Sequence, residues 1–216
     1  MLKAKVLIFI ILSITSVSLL KAQIVFKEIN GMVIGEAESY SSQTNDEVRR
    51  WKLIANKDPV ITASNSYYLE LLPDTRKTHD DPLIRGENFS NEPGKMAILT
   101  YPIDFKTTGR YYVWVRTYST GTEDNGIHVG LDGEWPDSGQ RMQWCEGKNQ
   151  WAWASKQRTE ENHCGEERLI YLDIDEPGRH TLHFSMREDG FAFDKWVLEK
   201  EYDKPVGMGP PSTLAN

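Results

Sequence analysis

The stretch from Arg168 to Lys200 constrains this chain most. Ile170, Leu172 and Ile174 alternate with Tyr171, Asp173 and Asp175. A period of two marks a strand with one buried face, because successive side chains point to opposite sides. Asp175-Glu176-Pro177-Gly178 then supplies turn chemistry: Pro177 fixes φ and Gly178 tolerates a positive one. Alternation resumes with Leu182, Phe184 and Met186 against Thr181, His183 and Ser185. After Arg187-Glu188-Asp189-Gly190, a third run extends from Phe191 to Leu198. Three strands joined by two short turns predict an antiparallel meander. Asp194 interrupts the last run. A lone carboxylate among aromatics is costly to bury unless it is paired or holds a metal.

The rest of the chain repeats the pattern. Strand-like runs cover Met32–Glu38, Tyr67–Leu72, 95–105, Arg110–Tyr118 and Ile127–Leu131, and no segment carries a long helical stripe. The run Arg110–Tyr118 has aromatic or β-branched residues on both faces, as a central sandwich strand should. The expectation is one all-β domain over residues 23–202. Residues 203–216, with Pro205, Pro210 and Pro211, are expected to be a tail.

Residues 1–22 read as a secretory signal: Lys3 and Lys5, an apolar run from Val6 to Ile14, then small residues up to Ala22. The apolar run is short for a membrane span of about 20 residues. Cleavage before Gln23 is therefore expected, with a secreted, periplasmic or cell-surface product and no membrane insertion. The signal carries three lysines and no acid, so its loss takes the formal charge from −7 to −10. That balance argues against nucleic acid or an anionic membrane as partner, since both need a basic face. A monomer is expected.

Between Glu134 and Glu167 the periodicity fails. This excursion holds Trp135, Trp144, Trp151 and Trp153, and both cysteines, Cys145 and Cys164. In a secreted chain with two cysteines a disulfide is the default. The cross-link and the tryptophans argue against disorder, and long loops in compact domains are usually functional or disordered. The indoles have two readings. They stack on sugar faces with a polar edge left for hydroxyls, or they form a small core for the loop. Trp135, between the Asp132-Gly133 turn and Pro136, is the ring expected to be exposed. Glu36 and Glu38, two apart in a strand, also stay open: they flank a cation, or they are a solvated strand end.

Five motifs occur in order: Gly35-Glu-Ala-Glu38, Gly109-Arg-Tyr-Tyr-Val-Trp-Val-Arg116, Val129-Gly-Leu-Asp-Gly133, Gly178-Arg-His-Thr-Leu182 and Phe193-Asp-Lys-Trp-Val-Leu198. In this the chain resembles the carbohydrate-binding modules of families 6 and 35, and is similar to C-terminal domains of some large glycoside hydrolases. The resemblance implies a jelly-roll β-sandwich of two antiparallel sheets, here with one long disulfide-closed loop. It implies a structural Ca2+ held by Glu36, Glu38 and Asp194, hard oxygen ligands that suit that ion. It also implies a sugar site in loops at one end of the sandwich. The family's Asn before the last strand is replaced by Ala192, with Arg187, Glu188 and Asp189 nearby.

The expected function is non-catalytic polysaccharide or oligosaccharide binding. Trp135, Trp144, Trp151 and Trp153 would stack, and Arg187 and Asp189 would bond hydroxyls. Glycoside hydrolysis needs two carboxylates at a fixed separation, and nothing in the spacing selects a pair. A polysaccharide-degrading enzyme on a sandwich and a protein-binding adhesive domain are the alternatives.

Overall fold

The computed structural model of the protein describes residues 24–56 and 62–214; the expected signal at 1–22 lies outside them. Two sheets face each other. In the first, Ile98–Phe105, Gly178–Met186 and Gly126–Leu131 form an antiparallel centre. Phe26–Lys27 adds a short parallel edge to Ile98–Phe105, and Ser42–Thr44 pairs with the other end of that strand. In the second, Gly109–Tyr118 and Ala192–Glu199 are the central pair, flanked by Tyr67–Leu72 and Arg50–Ala55. Met32–Glu36 pairs with Ala192–Glu199, and Tyr171–Ile174 with Gly109–Tyr118. This is the all-β sandwich expected from the sequence.

The three strands between Tyr171 and Glu199 are real, but they are not a meander. Tyr171–Ile174 lies in the second sheet, Gly178–Met186 in the first, and Ala192–Glu199 in the second again. Each short turn therefore crosses the core. Alternation tells which face is buried, not which strand supplies the hydrogen bonds. Three residues at about 3.3 Å each span the roughly 10 Å between packed sheets.

The core is aromatic. Phe26 packs on Trp196 with ring centroids 4.9 Å apart, Phe184 on Phe193 at 4.9 Å, and Trp144 on Phe191 at 5.2 Å. Gly35 is needed beside Trp196: a Cβ there would stand 2.2 Å from the indole. The buried Tyr101 hydroxyl donates to the Ala37 carbonyl at 2.6 Å, which satisfies the one polar atom that ring brings inside.

The 203–214 stretch, expected to be a tail, lies against the second sheet. Trp153 Nε1 donates to Gly207 O at 3.0 Å, and Lys195 Nζ to Pro210 O at 3.1 Å. Thr213 N donates to Ile34 O, and its own carbonyl accepts from Lys27 N, both at 2.9 Å. Leu214 and Phe26 form a bridge. Prolines break periodicity and so predict a tail; here they let an irregular segment cross the sheet without needing the missing N–H. Among the described residues, no helix is long and apolar enough to cross a membrane.

His128, fully buried on Gly126–Leu131, ties three segments together. Its Nδ1 accepts from Arg141 N at 3.1 Å, so Nε2 carries the proton toward Ser90 O, also 3.1 Å away. Burial, helped by the Arg187 and Arg141 charges, pulls its pKa down to about 3. The folded value lies below the unfolded one, so the contribution is complete above about pH 6.5 and is lost as pH falls toward 3. One such group adds a slope of about 1.4 kcal/mol per pH unit in that window. His128→Gln is expected to be less stable at pH 7.5 yet to lose less on acidification. Melting temperatures at pH 4 to 7.5 check this, and equal slopes in the two proteins would remove His128 as the source.

Candidate functional site

The excursion at 134–167 is ordered by short pairings that sequence periodicity cannot reveal. Met142–Gln143, Lys156–Gln157 and Glu166–Glu167 extend the first sheet, while Trp151–Ala154 becomes an edge of the second. The Cys145–Cys164 disulfide closes it, with Cα atoms 5.3 Å apart. In the chain-entropy model a loop of this size contributes about 3 kcal/mol.

At the end of the sandwich this excursion meets the 187–190 turn. Together with the 76–89 loop and the 122–125 turn they enclose a cleft of about 460 Å3. Its floor is a buried polar network. Arg187 Nη1 donates to Gln143 Oε1 at 3.1 Å and pairs with Glu188. Glu188 accepts from Asn125 N at 3.0 Å, and Gln143 also donates to Asn125. The Arg187 guanidinium lies 5.0 Å from the Phe89 ring centroid. On one wall Arg76 pairs with Glu123, which also meets His79 Nδ1 at 3.2 Å. Arg158 lines the cleft, and its guanidinium has no hydrogen bond or ion pair among the described residues. Of these residues Arg187, Glu188 and Arg158 are charges that the sequence itself offers for a local pocket. Asn125 read as a turn residue, and Gln143 and Arg158 sat where the pattern failed.

The residues expected to bind ligand are dispersed. Trp135 lies half-buried on the first sheet, packed over Gly130 and Gly94 and 6.1 Å from the His183 ring. Trp144 is 2% exposed and belongs to the main core. Trp153 is buried beneath the 203–214 segment. Trp151, half-buried, sits edge-on to Tyr68 and Tyr118 at 5.3 and 5.6 Å, with Arg116 5.2 Å from its centroid. Asp189 is fully buried. Its Oδ2 accepts from Thr75 N at 2.9 Å, Thr75 Oγ1 at 2.8 Å and Arg49 Nε at 3.1 Å. It therefore anchors the turn instead of facing a ligand, and Arg187 is committed to Gln143 and Glu188.

Glu36, Glu38 and Asp194 do converge, on the opposite side of the second sheet from the core. Asp194 pairs with Arg116 at 2.5 Å and accepts from Ser64 N at 2.8 Å and Ser64 Oγ at 3.0 Å. Glu36 pairs with Lys195 Nζ at 2.8 Å and shares the single Ser64 hydroxyl proton with Asp194. Glu38 Oε2 is buried without a hydrogen-bond partner among the described residues. Burial, reinforced by the Glu36 and Asp194 charges, pushes the Glu38 carboxyl up to about 7. Three carboxylates thus face two protein cations, one short of neutrality. Among the described residues, no group of three or more His, Cys, Asp or Glu side chains is placed to hold a metal ion. The donor chemistry fits a hard cation at Glu38, while Glu36 and Asp194 are already held by nitrogen.

Comparison with known proteins places these features in a family. The family described as "Glycosyl hydrolase family 115 C-terminal domain" matches residues 25–212. "Uncharacterized protein P23" of Formosa agariphila is 52% identical over 206 residues, covering 89% of this chain and 50% of its own. The chain thus spans half the length of that curated relative. A family 35 carbohydrate-binding module from Clostridium thermocellum aligns at a TM-score of 0.46 and 14% identity, over 77% of this chain and 96% of that one. The C-terminal family 6 module of LamC from Zobellia galactanivorans aligns at 0.43 and 15%, over 78% and 99%.

The raised Glu38 value makes a signed prediction. A folded pKa of about 7 lies above the unfolded 4.5, so the folded state holds the extra proton between those values. Stability should fall as pH rises from about 4.5 to 7 and level off above. With chelator present, Glu38→Gln should melt above the parent at pH 8 and lose that advantage near pH 4.5. An advantage that persists unchanged at pH 4.5 would assign it to something other than ionisation.

Proposed function

Because the chain belongs to the glycosyl hydrolase family 115 C-terminal domain family, we propose that it is a secreted, non-catalytic polysaccharide-binding module whose site is the end-loop cleft. The observation that carries this is the convergence of the 134–167 excursion and the 187–190 turn on one polar cleft with an unpaired Arg158. Arg187, Glu188, Asn125 and Gln143 form a fixed floor, so a bound sugar would meet groups already held in place, which reduces the ordering cost of binding. Arg158 stands where a carboxylate or sulfate on the glycan would be met by a charge-assisted contact. The overall negative charge repels long anionic chains at a distance, so this contact would act locally.

Binding is favoured over hydrolysis by the state of the acids. Glu123 and Glu188, the carboxylates of the cleft, are both buried in ion pairs with Arg76 and Arg187. Neither is free to protonate a leaving group or activate water. Exposed sugar contacts give modest energies, so Kd is expected on the order of micromolar to millimolar. Arg158→Ala should weaken binding to carboxylated or sulfated polysaccharides about tenfold, about 1.4 kcal/mol, and leave the melting temperature unchanged. Affinity electrophoresis over neutral, carboxylated and sulfated polymers reads this. Equal binding by parent and variant would move the site elsewhere, and release of oligosaccharide would overturn the non-catalytic reading.

A structural Ca2+ at Glu36, Glu38 and Asp194 belongs to the same proposal, supported by the uncompensated Glu38 carboxylate. The ion would supply the missing positive charge, with Lys195 and Arg116 giving up their contacts to it. Binding to the folded state alone stabilises by about 2.7 kcal/mol at a hundredfold excess over Kd. Calcium should therefore raise the melting temperature at pH 7.5, and EDTA should lower it. An unchanged curve, with no metal by elemental analysis, would leave Lys195 and Arg116 as the cluster's own cations.

A further inference from the structure

We propose that a second site, beside the edge strand Trp151–Ala154, binds one neutral pyranose at the end of a glycan chain. The choice of a sugar rests on the glycan-binding reading above; the location does not. The disulfide lines both this site and the end-loop cleft, and so stands as a partition between them. On the side away from the cleft lies a cavity of about 160 Å3. Trp114, Trp144, Trp153 and Tyr202 wall it, with Ser155 between them. An engineered cavity of about 150 Å3 holds a single six-membered ring. That ring is benzene, so this cavity admits no more than one ring, and a pyranose would leave some of its hydroxyls on the open side.

The walls choose the ring's chemistry. Three indoles and a phenol suit the C–H faces of a saturated ring. Trp144 Nε1 and Ser155 Oγ are buried polar atoms without a hydrogen-bond partner among the described residues. Buried polar groups are almost always partnered, so each such exception asks for an explanation. Ring hydroxyls would supply it. A benzene-like ligand would leave both groups unmet. At the mouth Lys156 is already paired with Glu146 at 3.2 Å and Glu167 at 3.5 Å, and exposed Lys204 stands at the rim shared with the groove, so the polar atoms inside the cavity are the neutral Trp144 Nε1 and Ser155 Oγ. The walls are held before any ligand arrives. Tyr202 donates to Ser155 O at 2.9 Å, and Trp153 to Gly207 O at 3.0 Å.

The cavity also continues in one direction. An open groove of about 500 Å3 shares Ala152, Trp153 and Lys204 with it and runs on past Trp151 to Arg116. A narrow pocket leading into a wider, more open groove suits a chain terminus: the last ring enters, and the following ones lie along Trp151.

The test uses the whole protein labelled with 15N, and follows the indole N–H signals while neutral monosaccharides (glucose, galactose, mannose, xylose) and their short oligosaccharides are added. At least one monosaccharide should shift the Trp144 and Trp153 signals, with Kd in the millimolar range, and its oligosaccharide should bind at least threefold tighter. Ala152→Phe, which fills the shared wall, should abolish the response. Ser155→Ala removes a hydroxyl that bonds to nothing in the fold and should weaken the response at least fivefold. Arg158→Ala, across the disulfide, should leave it intact. No indole shift with any of these sugars at tens of millimolar would overturn the site. So would a response that survives both Ala152→Phe and Ser155→Ala but vanishes in Arg158→Ala, which would belong to the end-loop cleft.

Discussion

The buried pairing of Asp194 with Arg116 is the interaction on which the second sheet depends. Asp194 is fully buried on Ala192–Glu199, the strand that pairs on both sides, and the register with Gly109–Tyr118 shifts between Phe193 and Lys195. That irregularity lets two successive residues, Asp194 and Lys195, both reach partners: one Arg116 and Ser64, the other Glu36. Removing one member of such a pair typically costs about 3–5 kcal/mol, because the other is left charged and dry. The cluster thus holds Met32–Glu36, the 62–66 segment and both central strands to one another. Glu38 is the member left over. Its uncompensated charge is what makes the cluster sensitive to protons and open to a cation.

Much of the architecture was legible in the residues. Tyr67–Leu72, Arg110–Tyr118 and the three runs after Arg168 appear as strands because each alternates or is apolar throughout. What alternation could not convey was partnership. Ile174 and Leu182 both read as inward residues, yet they enter the core from opposite sheets. The same limit explains the excursion. Strands of two residues, such as Met142–Gln143, have no period, and their pairing is fixed by the disulfide and by Asn125, far away in sequence. Trp144 illustrates the consequence. Its backbone bonds to Asn125 draw the ring under Phe191, where it packs as core while its Nε1 finds no partner among the described residues.

The candidate site was legible in outline and not in detail. The two segments expected to meet do meet. Burial then decides which side chains are left for a ligand. Arg187 and Asp189, conspicuous as charges in a turn, spend themselves on Gln143, Glu188, Thr75 and Arg49. Arg158, a basic residue of the excursion, keeps its charge unspent among the described residues. A charged residue at a loop tip carries no mark of whether it supports the loop or faces outward; only the third-dimension neighbours separate the two.

The bridge between Phe26 and Leu214 has a mechanical consequence. The described chain enters and leaves the sandwich side by side, paired to the Ile103–Asp104 part of the first sheet. The 187–190 turn lies beyond Leu99, at the other end of the same ladder. Any neighbour joined before Phe26 or after Leu214 would therefore hold the sandwich by one corner, as a pendant on a single pivot. The cleft would swing at the free end. Its reach would then depend on linker length and stiffness, and tethering would raise its local concentration around whatever its neighbour holds.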